Sequence, residues 1–353
     1  MPSLPSCAPG RPSRAPWLAL CAALVVGATG CDFTRMAANS SSWLIERAAP
    51  AFEQYWDYEL AGAAAPSNIV QLEGMLRIIP ENEIVLLQLQ RAYVGYAYGW
   101  VEDRADEYEL MGRPDLAMRQ RDRARYLYMR ARDLGLHLLT LKAEGLHEAR
   151  AAGLPAFERW LADEFTDEDD AGVLLWAGYA WGSYIRAAVE DLTVLEELPF
   201  VKVLVERSVA LDRGYSNASG LAFLGAMLAS PRYDDHAGAK RLFEEALAIT
   251  ERRSLGILLN MANVYAVATE DRALYLALLR EVVEAGDVLP EGRLQNRIAK
   301  RRAARAIRRV DELFGPEGAP AAEAPEAAPA SPEPPDALDE AAVEPAPRDD
   351  ESN

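Results

Sequence analysis

At 353 residues, half of them hydrophobic, the chain is long enough for one large domain or two ordinary ones and can bury a sizeable core. Its formal charge of −18 is unevenly placed, with eleven acids and one arginine in residues 315–353. A surface this acidic repels phosphate backbones, so nucleic acid is excluded as an expected partner.

From the N-terminus, Arg11 and Arg14 precede the apolar run WLALCAALVVGAT (17–29), which is too short to span a bilayer and is built like a signal peptide. The run closes on ATGC, small residues followed by Cys31, and this resembles a bacterial lipobox. Cys31 would then be lipidated and become the mature N-terminus. A plain secretory signal cut just before Cys31 is the alternative. Cys7 and Cys21 would leave with the leader (1–30), so no internal disulfide is expected despite an oxidising compartment. The two or three acyl chains of a bacterial lipoprotein hold stably where one holds marginally. Asp32 matches the enteric inner-membrane retention signal, a rule that varies among bacteria, so which membrane holds the anchor stays open.

Residues 31–40 are short and polar and read as a tether. Residues 41–314 read as helix throughout, with apolar residues at three- and four-residue spacing and no run alternating as a half-buried strand would. Prolines 66, 80, 114, 155, 199, 231 and 290 fall between the periodic stretches, where helices are expected to begin or end, with Pro50 near a first turn. Residues 315–353 form a Pro/Ala/Glu tail with almost nothing large and apolar to bury, which predicts disorder.

Within 41–314 one pattern recurs. ARYLYMRARDLG (124–135), VKVLVERSVALD (201–212), AKRLFEEALAIT (239–250) and YLALLREVVEAG (275–286) align on residues at i, i+4 and i+7. The triplets are Ala124/Tyr128/Ala131, Val201/Val205/Ser208, Ala239/Phe243/Ala246 and Tyr275/Leu279/Val282. Ala-x₃-aromatic-x₂-Ala is the second-helix pattern of a tetratricopeptide repeat. First helices would supply a small residue and a bulky one three along: Gly95/Tyr98, Gly178/Trp181, Gly225/Leu228 and Ala262/Tyr265. Spacing is irregular, widened around ELMGRPDL (109–116). The expected fold is all-α, an α-solenoid of degenerate tetratricopeptide-like helical hairpins.

LQRAYVGYAYGWVED (89–103), RARDLGL (130–136), LLWAGYAWGSYI (174–185) and NRIAKRRAARAIRRVDELF (296–314), in that order, resemble the TRAP transporter T-component family, the TatT-like lipoproteins. The resemblance implies a periplasmic, lipid-anchored helical protein. Its partner would be the substrate-binding P-component of a tripartite ATP-independent periplasmic transporter. It also implies small rings, homotrimers, with a hydrophobic channel or cleft. The acidic tail is no part of that pattern. The other reading is a tetratricopeptide lipoprotein that scaffolds envelope complexes without a role in transport.

Two aromatic stripes carry the candidate ligand surface. Tyr93, Tyr96 and Trp100 share one helix face at i, i+3 and i+7; Trp176 and Tyr179 share another, with Trp181 rotated away. They are either ordinary core or part of a groove for an apolar or amphipathic ligand, a task for which tyrosine and tryptophan offer a broad face and one polar handle. The basic run RLQNRIAKRRAARAIRR (293–309) keeps an apolar face. It reads as a solvated terminal helix, or as a surface for anionic headgroups, an acidic partner or the chain's own tail. DEFTDEDDAG (163–172) fails as a calcium loop because Gly178 stands where the bidentate acid belongs. His137, His147 and His236 lack metal-ligand spacing, and no nucleophile elbow or phosphate loop is present. Glu102/Asp103 and Glu190/Asp191 read as helix surface or repeat ends. The expectation is a binding protein without enzymatic activity, metal or cofactor.

Overall fold

A computed structural model describes residues 15–316, with side chains from Phe33 onward. Residues 1–14 and 317–353 lie outside the described residues, and so do the side chain of Cys31 and nearly all of the segment read as an acidic tail. Everything below belongs to the unit that ends at Phe314.

The described residues are helical, with no strand among them. In chain order the helices are α1 (Ala15–Glu53), α2 (Tyr58–Ile78), α3 (Glu83–Tyr96), α4 (Asp103–Leu110), α5 (Pro114–Lys142), α6 (Leu146–Ala151), α7 (Leu154–Glu164) and α8 (Asp170–Ala187). There follow α9 (Leu192–Leu195), α10 (Leu198–Leu211), α11 (Tyr215–Leu228), α12 (His236–Ile249), α13 (Leu255–Asn260), α14 (Arg272–Glu284), α15 (Arg293–Arg308) and α16 (Val310–Phe314). Two π-helical turns, Ala97–Glu102 and Met261–Ala266, join α3 to α4 and extend α13. Several starts are fixed by side-chain caps: Asp57, Asn82, Asp235 and Asp271 each accept from the backbone N–H three residues on, at 2.8–3.0 Å.

The longer helices pack in chain order, passing over the short ones between them: α2 on α3, α3 on α5, α5 on α8, α8 on α10, α10 on α11 and α11 on α12. All twelve residues of the repeated triplets are buried. Where the pattern has serine, Ser208 donates from Oγ to the Ala171 carbonyl at 2.7 Å, so the polar group is satisfied in the core. One core gathers Leu86, Leu89, Phe157 and Leu174; a second gathers Phe243, Leu258, Tyr275 and Leu279.

Three local expectations are corrected. Pro66 lies inside α2. The buried seam Ala61/Ala65/Ile69/Leu72/Leu76 runs past it on both sides, and packing of that seam outweighs one lost backbone bond. Pro50 sits near the end of α1, not near a first turn. The polar segment 31–40 is helical within α1. The hydroxyls of Ser40 and, one residue beyond the segment, Ser41 are satisfied inside the helix by the carbonyls four residues back, both at 2.9 Å, so they do not end it.

Candidate functional site

The site is framed by contact between the two ends of the helical array. Asp103, at the start of α4, is 2 % exposed, and its carboxylate accepts from Arg305 and Arg301 of α15 and from the Tyr58 hydroxyl at 3.1 Å. Arg301 also pairs with Glu107, and Arg302 reaches Glu102 and Asp106 at 3.7 and 3.6 Å. Burial pushes the Asp106 carboxyl up against the opposing pull of Arg302. Burial likewise draws the Arg305 guanidinium down. The basic run is therefore not a freely solvated helix: its central arginines are spent on the acids of 102–107. Glu102 and Asp103 are in turn a docking element, not plain helix surface or a repeat end.

The π-turn beside this cluster is supported from both sides. Wider turns disturb regular backbone pairing, and here two carbonyls of the turn take side-chain donors. Arg302 donates to Tyr98 O at 2.8 Å and Tyr58 donates to Gly99 O at 2.8 Å. Burial pushes the Tyr58 phenol up to about 12, so it stays a protonated donor.

The aromatic residues singled out in the sequence fall into two groups. Tyr93, Tyr96 and Trp176 pack together against Val94, Ala97, Tyr128 and Ala180. Tyr96 stacks on Trp100, with centroids 6.1 Å apart, and Trp100 stacks on Tyr58 at 5.3 Å. Trp176 leads to Tyr179 at 5.7 Å, and Tyr179 leads to Phe223 at 5.0 Å. Trp181 is fully buried in a separate cluster with Ile185 and Val201, against which Phe223 also packs. Its Nε1 donates to Glu197 at 2.7 Å and Arg150 lies 4.6 Å over its ring.

The handles of this aromatic strip are largely engaged. Tyr93 donates to Glu73 at 2.9 Å, and that carboxylate also takes Arg130, whose hydrogen bonds hold it below its ordinary value. Burial, reinforced by Glu73, pushes the Tyr93 phenol up to about 12. Tyr179 donates to Ser219 O at 3.2 Å, just past the left-handed turn Ser216–Ala218 that opens α11. Burial pushes the Tyr179 phenol up to about 12 as well, with neighbouring Tyr98 adding to the shift. The Trp176 indole N–H is buried with no partner among the described residues. Tyr98, outside the stripes read from the sequence, is the most open of the group at 39 % exposure, with Arg302 stacked 4.2 Å over its ring. A π-turn leaves no mark in hydrophobic spacing, so a face count at 3.6 residues per turn passed over Tyr98; Phe223 and Arg302 come from α11 and α15, which no local spacing joins to the strip. The available signal was the Gly95/Tyr98 pair.

A family profile described as TRAP transporter T-component matches residues 54–314. The chain belongs to that family. No curated protein matches the chain in sequence. The matched span runs from just after α1 to the last residue of α16, so it takes in the aromatic strip and both sides of the Asp103 cluster. The T-component is an accessory component of the transporter. Among the described residues no helix is long and apolar enough to cross a membrane, and no three His, Cys, Asp or Glu are placed to hold a metal.

Four glycines repeat in the two related helices, and they differ physically. A methyl group on Gly178 would overlap Val205 Cγ2 of α10, and one on Gly182 would lie 2.6 Å from Phe223 Cζ. One on Gly99 would lie 2.9 Å from Ile298 Cδ1 of α15, whereas one on Gly95 meets nothing within 4 Å. In this T-component Gly178→Ala should cost about 1–3 kcal/mol by overpacking a stiff β-branched neighbour. Gly95→Ala should add about 0.5–1 kcal/mol through helix propensity. Urea unfolding of the two variants reads both signs, and a stabilised Gly178→Ala would refute the close-approach account.

Proposed function

We propose that this T-component works on the periplasmic side of a membrane, held by lipid on Cys31, and docks the substrate-binding P-component of its transporter. Residues 1–30 are read as the leader and 315–353 as a solvated tail, with the helical unit between them carrying the function. The hairpins are tetratricopeptide-like, a reading supported by burial of every aligned triplet residue. Solenoids of this kind present extended surfaces for protein partners. Assembly as a homotrimer belongs to the same reading.

The aromatic strip Tyr93, Tyr96, Trp100, Trp176 and Tyr179, opened at Tyr98, holds the apolar part of the ligand, while Trp181 serves as its support. The observation that carries this is the run of linked rings Tyr58, Trp100, Tyr96, Trp176 and Tyr179, with Tyr98 open on the same π-turn as Trp100, whose carbonyls are held by Arg302 and Tyr58. Broad ring faces with one polar handle each suit an amphipathic guest.

The experiment is retention of purified P-component candidates on the immobilised full chain, followed by native mass spectrometry of the eluted complex. Retention of one substrate-binding protein, with a trimer and a released apolar molecule in the spectrum, is the expected result. If every substrate-binding protein encoded beside the chain passes through unretained, the docking reading fails.

A further inference from the structure

Helix α1 is apolar on both sides. Its inner seam is Ala38, Ser42, Ile45 and Ala49; Ala38 and Ile45 pack against the core, Ser42 is buried and Ala49 half-buried. At about 100° per residue, the direction opposite that seam holds Phe33, Met36, Trp43 and Leu44, each within about 50° of it, around Ser40 and Arg47 at its centre. These four are 66, 60, 55 and 62 % exposed. Arg47 lies on the same outer side with its guanidinium 4.9 Å over the Trp43 ring, and Arg35 is also exposed. Scattered exposed hydrophobics need no account, but four large ones on one face of one helix do.

We propose that this outer face of α1 lies in the membrane interface, with the bilayer surface as its occupant. The inference rests in part on the reading of Cys31 as the lipidated residue. Phe33 follows that residue by about 3 Å along the helix and Leu44 by about 20 Å, so the anchor delivers the whole face to the headgroup region. The chemistry fits the place: Trp, Phe, Met and Leu on the bilayer side, with Arg47 able to reach headgroup phosphates while its stem stays on the apolar surface. The rival basic surface is reduced, because Arg301, Arg302 and Arg305 of α15 are paired with acids of the chain itself, although Arg297 and Arg308 stay exposed. The inner seam then couples the membrane-lying helix to the core through α2 and α3. The helical unit is held flat against the bilayer, not swung on a free tether.

The test uses the chain as processed and purified from cell membranes, returned to vesicles of phosphatidylethanolamine, phosphatidylglycerol and brominated phosphatidylcholine. The mass of its N-terminal peptide reports lipid on Cys31 separately. Tryptophan emission should be quenched, and a Trp43→Phe chain should lose the quenched component. A Phe33→Ser/Met36→Ser/Leu44→Ser chain should lose Trp43 quenching at unchanged Tm, since the three side chains are exposed. Without lipid its vesicle partition should fall by about tenfold or more. Lipid on Cys31 with Trp43 unquenched overturns the inference and leaves the anchor standing. No lipid, with Trp43 still quenched on sedimenting vesicles, supports the inference and removes the anchor. An unquenched Trp43 together with an oligomer lost in the triple variant assigns the face to a second copy of the chain and overturns the proposal.

Discussion

Asp103→Ala should destabilise the helical unit by about 3–5 kcal/mol, the cost of removing one member of a buried, hydrogen-bonded ion cluster and leaving its partners uncompensated. Arg305 would keep only the backbone carbonyl of residue 103, at 3.1 Å, and the more distant Glu107 carboxylate, at 3.6 Å, and Tyr58 would lose one of its two acceptors. Arg305→Met should cost less, because Asp103 keeps Arg301 and Tyr58. The paired change Asp103→Leu/Arg305→Met should recover most of the loss, since apolar replacement of a buried pair is often neutral. By contrast, Arg252→Ala at the half-exposed Arg252–Glu281 pair should fall within about 1 kcal/mol. Guanidinium unfolding of the five chains gives the order. The physical point is where cohesion between the ends of the array comes from. If Asp103→Ala costs no more than Arg252→Ala, the apolar face of α15, Leu294, Ile298 and Ala303, is sufficient on its own.

That cluster also marks the boundary of what could be read from the chain. The aligned triplets were legible because each helix buries its own periodic stripe locally, and Tyr128 and Phe243 fall at the centre of theirs. Pairing of Asp103 with Arg305 was not, since 202 positions separate them and each sits in a run of like charge that also suits solvent. Pro66 misled because propensity is local while the seam around it is tertiary. Of the candidate site, five aromatics were found to be linked by ring contacts or shared packing, but the sixth, Trp181, faces another cluster, and the most open ring, Tyr98, was unlocked by a π-turn that no spacing rule encodes.

Trp181→Ala and Tyr98→Ser should separate support from surface. Trp181 is fully buried, so truncation leaves a cavity as well as lost transfer energy, and the fold should lose about 3–5 kcal/mol. The change also strips Glu197 of its indole donor and Arg150 of the ring beneath it, although those two still pair with each other at 3.0 Å. Tyr98 has no such role: its ring is partly open and the contacts of its residue to Arg302 are a stacked cation and a backbone carbonyl that serine retains. Tyr98→Ser should therefore change stability by less than about 1 kcal/mol. With the apolar probe N-phenyl-1-naphthylamine the order should invert. Tyr98→Ser should weaken binding by about tenfold, the loss expected when one large ring face is withdrawn from an apolar contact. Trp181→Ala, measured where the chain remains folded by circular dichroism, should bind the probe as the parent does. Probe binding that follows Trp181 and ignores Tyr98 would place the guest near Ile185 and Val201, on the far side of α8, and would make the Tyr93-to-Tyr179 strip plain core.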